Sequence, residues 1–155
     1  MEMIQNFQGT LNKGFRGNIA YYFHLPPNCK ALSVILTYDK ERFSRKEIHM
    51  EELRPIYESY KGGPVSEEEL LEAMDSMKTE IQIALMIHGE FAGNVHMPGT
   101  KKELYLTEDL SAGGILPCPA LEGMAKIIIN VFQVLENQTS YCLEIKGEFR
   151  HVEKN

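Results

Sequence analysis

Apolar and polar residues alternate with period two through "NIAYYFHLP", where Ile19, Tyr21, Phe23 and Leu25 fall on one side. A strand with one face in a core requires that alternation. Pro26-Pro27-Asn28 follows and ends the segment, since proline cannot donate to a ladder and the tripeptide favours a turn. The pattern returns in "ALSVILTYD" through Leu32, Val34, Leu36 and Tyr38, so the two segments are expected to be neighbouring antiparallel strands. Before them, "NFQGTLNKGFRGN" predicts an opening strand and a glycine-rich turn at Gly14 to Gly17.

The period changes in "PVSEEELLEAMDSM". Ser66 and Glu69 form a capping box, Val65 and Leu70 a hydrophobic staple, and Glu67 to Glu69 set acid at the positive end of the helix dipole. Leu70, Leu71, Met74 and Met77 then share one face, which predicts an α-helix near residues 66–77. The preceding "EIHMEELRPIYESYKGG" is ambiguous, because Pro55 interrupts what could be a helix and Gly62-Gly63 marks a loop.

Further on, "EIQIALMIHGEFAGNVHM" predicts a hairpin. Ile81, Ile83, Leu85 and Ile87 form one face of its first strand, and Phe91, Val95 and Met97 are expected on the same face of the second. That parity favours a loop of about three residues, His88-Gly89-Glu90. Strands follow at "KELYLTE", at the nearly continuous apolar run "AKIIINVFQVL" and at "SYCLEIKGEF". Asn137-Gln138-Thr139, formally a glycosylation sequon, reads as the turn between the last two. Many short strands, one helix and glycine- or proline-rich connections predict a mainly β fold. The expected architecture is an antiparallel β-sandwich of jelly-roll type with one inserted helix, a single domain over residues 1–155.

Composition narrows the function classes. At 155 residues with 43% hydrophobic and 25% charged residues the chain suits one packed domain. Sixteen Lys and Arg against 22 Asp and Glu give a net charge of -6, which argues against a broad attraction to nucleic acid or anionic membrane. In "YDKERFSRKE" the acids interleave with Lys40, Arg42, Arg45 and Lys46, so this segment reads as solvated surface. Cys29, Cys118 and Cys142 are odd in number and without a CxxC. Free thiols in a reducing cytoplasm account for them. No basic leader followed by an apolar run and no 18-residue apolar stretch is present, so neither export nor membrane spanning is expected.

"GNVHMPGTKK" has the composition of a phosphate- or metal-binding loop, yet fails as either. Gly93 and Gly99 have five residues between them and Thr100 precedes Lys101, whereas a Walker loop needs four, then Lys before Ser or Thr, and opens a helix. His88 and His96 are expected on the order of 15 Å apart along the hairpin, at about 3.3 Å per residue, too far to share a metal. No GxSxG, HExxH, SxxK or dinucleotide fingerprint occurs. Cys118, between Pro117 and Pro119, is the most constrained thiol, but no neighbouring histidine activates it.

The second half, "FAGNVHMPGTKKELYLTEDLSAGGILPCPALEGMAKIIINVFQV", resembles the β-sandwich domain that precedes the catalytic domain in some PHP-type metallohydrolases, named for polymerase and histidinol phosphatase. The matching positions are Gly99, Lys101 and Lys102, then Ser111 to Gly114, Leu116-Pro117, Pro119, Gly123 and Ile127 to Val134. Met124-Ala125-Lys126 stands where an aromatic is common in that family, and no His-x-His metal motif occurs. The resemblance therefore implies an accessory sandwich and carries no metal ligand with it.

The leading expectation is a non-catalytic module that binds a small molecule or carbohydrate, or a separate hydrolase subunit, at loops around His96 to Lys102 and Ser111 to Cys118. Candidate ligand-binding residues are His96, Thr100, Lys101, Lys102 and Cys118. No catalytic residue, metal ligand or cofactor is assigned. An alternative is a small metal-dependent hydrolase in which at least three of His24, His49, His88, His96 and His151 converge with an acid. Self-association through sheet edges or exposed apolar residues is a third expectation.

Overall fold

The computed structural model describes residues 1–108, 111–112 and 120–151. Its elements in chain order are β1 (Glu2–Leu11), β2 (Gly17–Leu25), β3 (Cys29–Tyr38), α1 (Met50–Lys61), α2 (Glu67–Ser76), β4 (Glu80–Ile87), β5 (Glu90–Val95), β6 (Lys101–Thr107), β7 (Ser111–Ala112), β8 (Gly123–Gln133) and β9 (Thr139–Phe149). One sheet has the order β1-β9-β3-β6-β7 and the other β2-β8-β4-β5. All pairings are antiparallel. Early strands pair with late ones, β1 with β9 and β2 with β8, as when a long hairpin rolls up into two packed sheets. This is the jelly roll that the strand pattern predicts.

The alternation in β2 and β3 is real, but the two strands do not pair. Leu25 and Phe23 enter the core from one sheet, while Leu32, Val34 and Leu36 enter it from the other. Pro26-Pro27-Asn28, with Asn28 at φ 67, carries the chain across rather than folding it back. Period two reports which side chains face inward and says nothing about which strand lies alongside.

In the hairpin of β4 and β5 the turn is shorter than parity suggested. His88 and Gly89 have φ 53 and 78, the two positive values of a type I′ turn. Leu85 faces Gly93 while Met86 faces Phe91, so Ala92 is the extra residue of a bulge, and parity flips there. Val95 is consequently buried, whereas Phe91 is 61% exposed.

The insertion between β3 and β4 holds two helices rather than one. The capping box of α2 forms as expected, with the Glu69 amide donating to Ser66 Oγ and the Ser66 amide to the Glu69 carboxylate. Leu70, Ala73, Met74 and Met77 face inward, while Leu71 is 38% exposed. The ambiguous segment is α1, whose Met50, Leu53, Ile56 and Tyr57 recur at helical spacing. Pro55 removes one internal amide donor but is exposed, so water can satisfy the carbonyl it leaves. Gly62 at φ 85 closes the helix. Both helices pack with Ile48 and Leu135 in a small core of their own. The main core lies between the sheets, with Leu32, Val34, Leu36, Ile83, Leu85, Ile127, Ile129, Leu143 and Ile145 fully enclosed.

Candidate binding surfaces

Thr100 leads into β6, which Lys101 and Lys102 begin at the end of the sandwich that carries the helical insertion, and period two sends the two lysines opposite ways. Lys101 is exposed and sits 3.3 Å from Glu103. Lys102 is completely buried. Its ammonium donates to the carbonyls of Met97 and, at 2.6 Å, of Gly99, and it lies 5.8 Å from the Tyr38 ring centroid. Loss of hydration pushes its pKa down, against the pull of Glu41. Glu41 in turn accepts the Gly99 amide at 2.5 Å. The Tyr38 hydroxyl, pushed up in pKa by burial first and by Glu41 second, donates to Gly99 O at 3.1 Å. Residues 97–99 are therefore pinned from inside, and Lys102 is a clamp rather than a ligand-facing cation.

The other expected site residues do not gather around it. The Thr100 carbonyl accepts the Tyr38 amide at 3.0 Å. His96 is exposed, with Nε2 3.5 Å from Glu80 Oε1 and its ring edge-on to Phe132 at 5.8 Å. Ser111 pairs with Leu106 near the far end of β6, most of that strand away from Thr100. Cys118 lies outside the described residues. His24 and His88 reach the opposite end, on either side of Met124. Among the described residues no group of three His, Cys, Asp or Glu side chains could hold a metal ion. Every buried side-chain polar atom described here has a hydrogen-bond partner, which marks Thr79, Gln82 and their like as structural.

Two further surfaces carry no sequence motif. The outer face of the five-stranded sheet surrounds the half-buried Ile35 and Tyr105 with charges that pair with one another, Lys30–Glu148 at 2.6 Å and Lys146–Glu144 at 3.6 Å. The outer face of the four-stranded sheet is different. Tyr22, Lys126, Met86 and Phe91 stand in one cross-strand row. Ala20, Ile128, Ala84 and Asn94 form the next. Met124 extends the patch beside His24. Tyr22, Phe91 and Met124 are 62%, 61% and 52% exposed. Lys126 lies over the Tyr22 ring at 5.6 Å and has no carboxylate partner among the described residues. Its sequence signal was the absence of polar alternation in "AKIIINVFQVL", which reflects apolar residues on both faces of β8.

The second surface is a groove of about 290 Å³ between α1, the turn after β1 and the end of β8. Phe15, Arg16, Ile56, Ser59, Tyr60 and Phe132 line it.

These features define a jelly-roll β-sandwich with one face rich in ion pairs, an apolar patch on the other face that no described residue covers, and a groove beside its helical insertion. Over residues 1–153 the chain matches the family of unknown function DUF6669, and it belongs to that family. No curated protein and no solved structure matches it. No helix among the described residues is long and apolar enough to cross a membrane.

Proposed function

We propose that this domain is a non-catalytic protein-interaction module that docks a separate protein subunit on the outer face of its four-stranded sheet. The observation that supports it is the contrast between the two outer faces. A contiguous exposed apolar patch is the usual mark of an interface, and aromatic and Met side chains are the types enriched there. Tyr22, Met86 and Phe91 supply them in a single row. Lys126, which has no carboxylate partner among the described residues, calls for one on the docked protein. The resemblance to the sandwich that precedes PHP-type catalytic domains adds one partner class to test, a hydrolase subunit encoded separately.

Tagged protein isolated from its native cells tests the proposal. A co-purifying protein is expected with the wild type and with Lys146→Glu on the charged face. It should be lost with the double variant Phe91→Glu and Met124→Glu, whose circular dichroism should be unchanged because both sites are exposed. Retention of the same protein by that double variant would show that docking lies elsewhere.

A further inference from the structure

We infer that the groove beside α1 is a binding site for a small organic carboxylate with a flat apolar body. The inference is independent of the docking face and rests on the walls, the charge and the size of the groove.

The walls are fixed by local bonds. Gly14, at φ 82, brings its amide to the Val134 carbonyl at 2.9 Å, and the Phe15 amide closes the turn on Asn12 O at 3.1 Å. The Lys13 amide is held by Asn137 Oδ1 at 2.9 Å. The turn that carries Phe15 and Arg16 is thus tied to the β8–β9 connection. Lys13 Nζ reaches Glu52 at 2.8 Å, which ties the same turn to α1. Phe132, on β8 beside the turn, and Ile56 and Tyr60 of α1 complete the lining. Phe15, Phe132 and Tyr60 are 38%, 42% and 65% exposed. Three aromatic rings around one concavity provide faces for a planar apolar group.

The charge selects the sign of the ligand. Lys13 and Glu52 neutralise one another, while Arg16 has no carboxylate partner among the described residues. A guanidinium presents parallel N–H donors that fit a carboxylate bidentately. Ser59 adds a hydroxyl to the lining. The volume, 290 Å³, equals roughly ten water molecules at about 30 Å³ each and sits at the small end of ligand pockets. It suits a one- or two-ring acid better than a peptide.

Titration with 1-naphthoate tests this. The chain has no Trp, so the naphthyl emission can be followed without indole background. The expected result is saturable binding below about 1 mM, with amide shifts in NMR spectra centred on residues 13–17, 55–60 and 132–134. Arg16→Gln should weaken it about tenfold, and 1-naphthamide should bind the wild type about as weakly as 1-naphthoate binds that variant. Arg16→Lys, which keeps the charge and loses the fork, should fall between them. Equal binding of acid and amide, unchanged affinity in Arg16→Gln, or shifts centred on the outer face of the four-stranded sheet would overturn the inference. So would tighter binding of a peptide ending in phenylalanine than of any small acid, which would make the groove a peptide site.

Discussion

Lys101 and Lys102 are neighbours in sequence with opposite fates, and the reason is parity. Lys102 shares its side of β6 with Leu104 and Leu106, and it pairs with Leu36 on β3. The signal was therefore in "KKELYLT", masked by the expectation that lysine stays in water. Lys102→Met keeps the volume and removes the charged donor from the Met97 and Gly99 carbonyls, which keep only the Gln82 amide at 3.3 Å and the Tyr38 hydroxyl at 3.1 Å. It is expected to cost about 1–3 kcal/mol in urea unfolding, whereas Lys101→Met should change stability by less than about 0.5 kcal/mol. Equal effects would mean that Lys102 is not the internal clamp. His96 was legible as a strand-end histidine, but its partners Glu80 and Phe132 lie on other strands, and no local pattern announces a long-range pairing. Phe15 and Arg16 read in sequence as part of a glycine-rich turn, because the groove they line is completed by α1, a helix that Pro55 conceals.

At the scale of elements, turns and caps were the most legible parts. The capping box of α2 and the turn at Asn137-Gln138, with Gln138 at φ 56, follow from local chemistry alone. Strand pairing was less so, since β2 and β3 are adjacent in sequence and lie in different sheets. The turn joining β4 and β5 gives a test of local geometry. A Cβ at Gly123 would lie 2.4 Å from His88 Cε1, and Gly123 has φ 80. Gly123→Ala is expected to cost about 1–3 kcal/mol. His88→Asn suits the first position of a type I′ turn and should recover part of that loss in the double variant by withdrawing the ring. No recovery would place the strain in the backbone alone.

The helical insertion rests on its own small core and is ringed by exposed ion pairs, so pH should act on it first. Lys40 and the Ser44 amide hold the Glu47 carboxyl down at about 2, against an ordinary 4.5. Arg45 lowers Asp75, Lys13 lowers Glu52 and Lys61 lowers Glu69. A carboxylate with a depressed folded pKa contributes its stability above the unfolded value and loses it as pH falls through the folded one. Such exposed pairs are individually weak. The expected outcome is local: between pH 4.5 and about 2, hydrogen exchange of residues 50–61 and 67–76 should accelerate before that of β3, β8 and β9. Simultaneous loss of protection would show that the insertion and the sandwich unfold as one unit.

For the whole molecule, the eight long strands make a jelly roll because period-two segments of similar length can bury one face each by rolling into two sheets. That much follows from the sequence pattern. The assignment of function to a face does not, because an exposed apolar side chain and a core one read alike until the register is known. Tyr22, Met86 and Phe91 come from three strands, and only the pairing aligns them. The most direct measurement is photo-crosslinking in native cells, with a benzophenone side chain placed at Tyr22 or Phe91 on the apolar face and at Glu103 or Lys146 on the charged face. The docking proposal predicts one discrete cross-linked protein from positions 22 and 91 and none from 103 and 146. Adducts of equal yield from both faces, or no adduct from the apolar face, would contradict it.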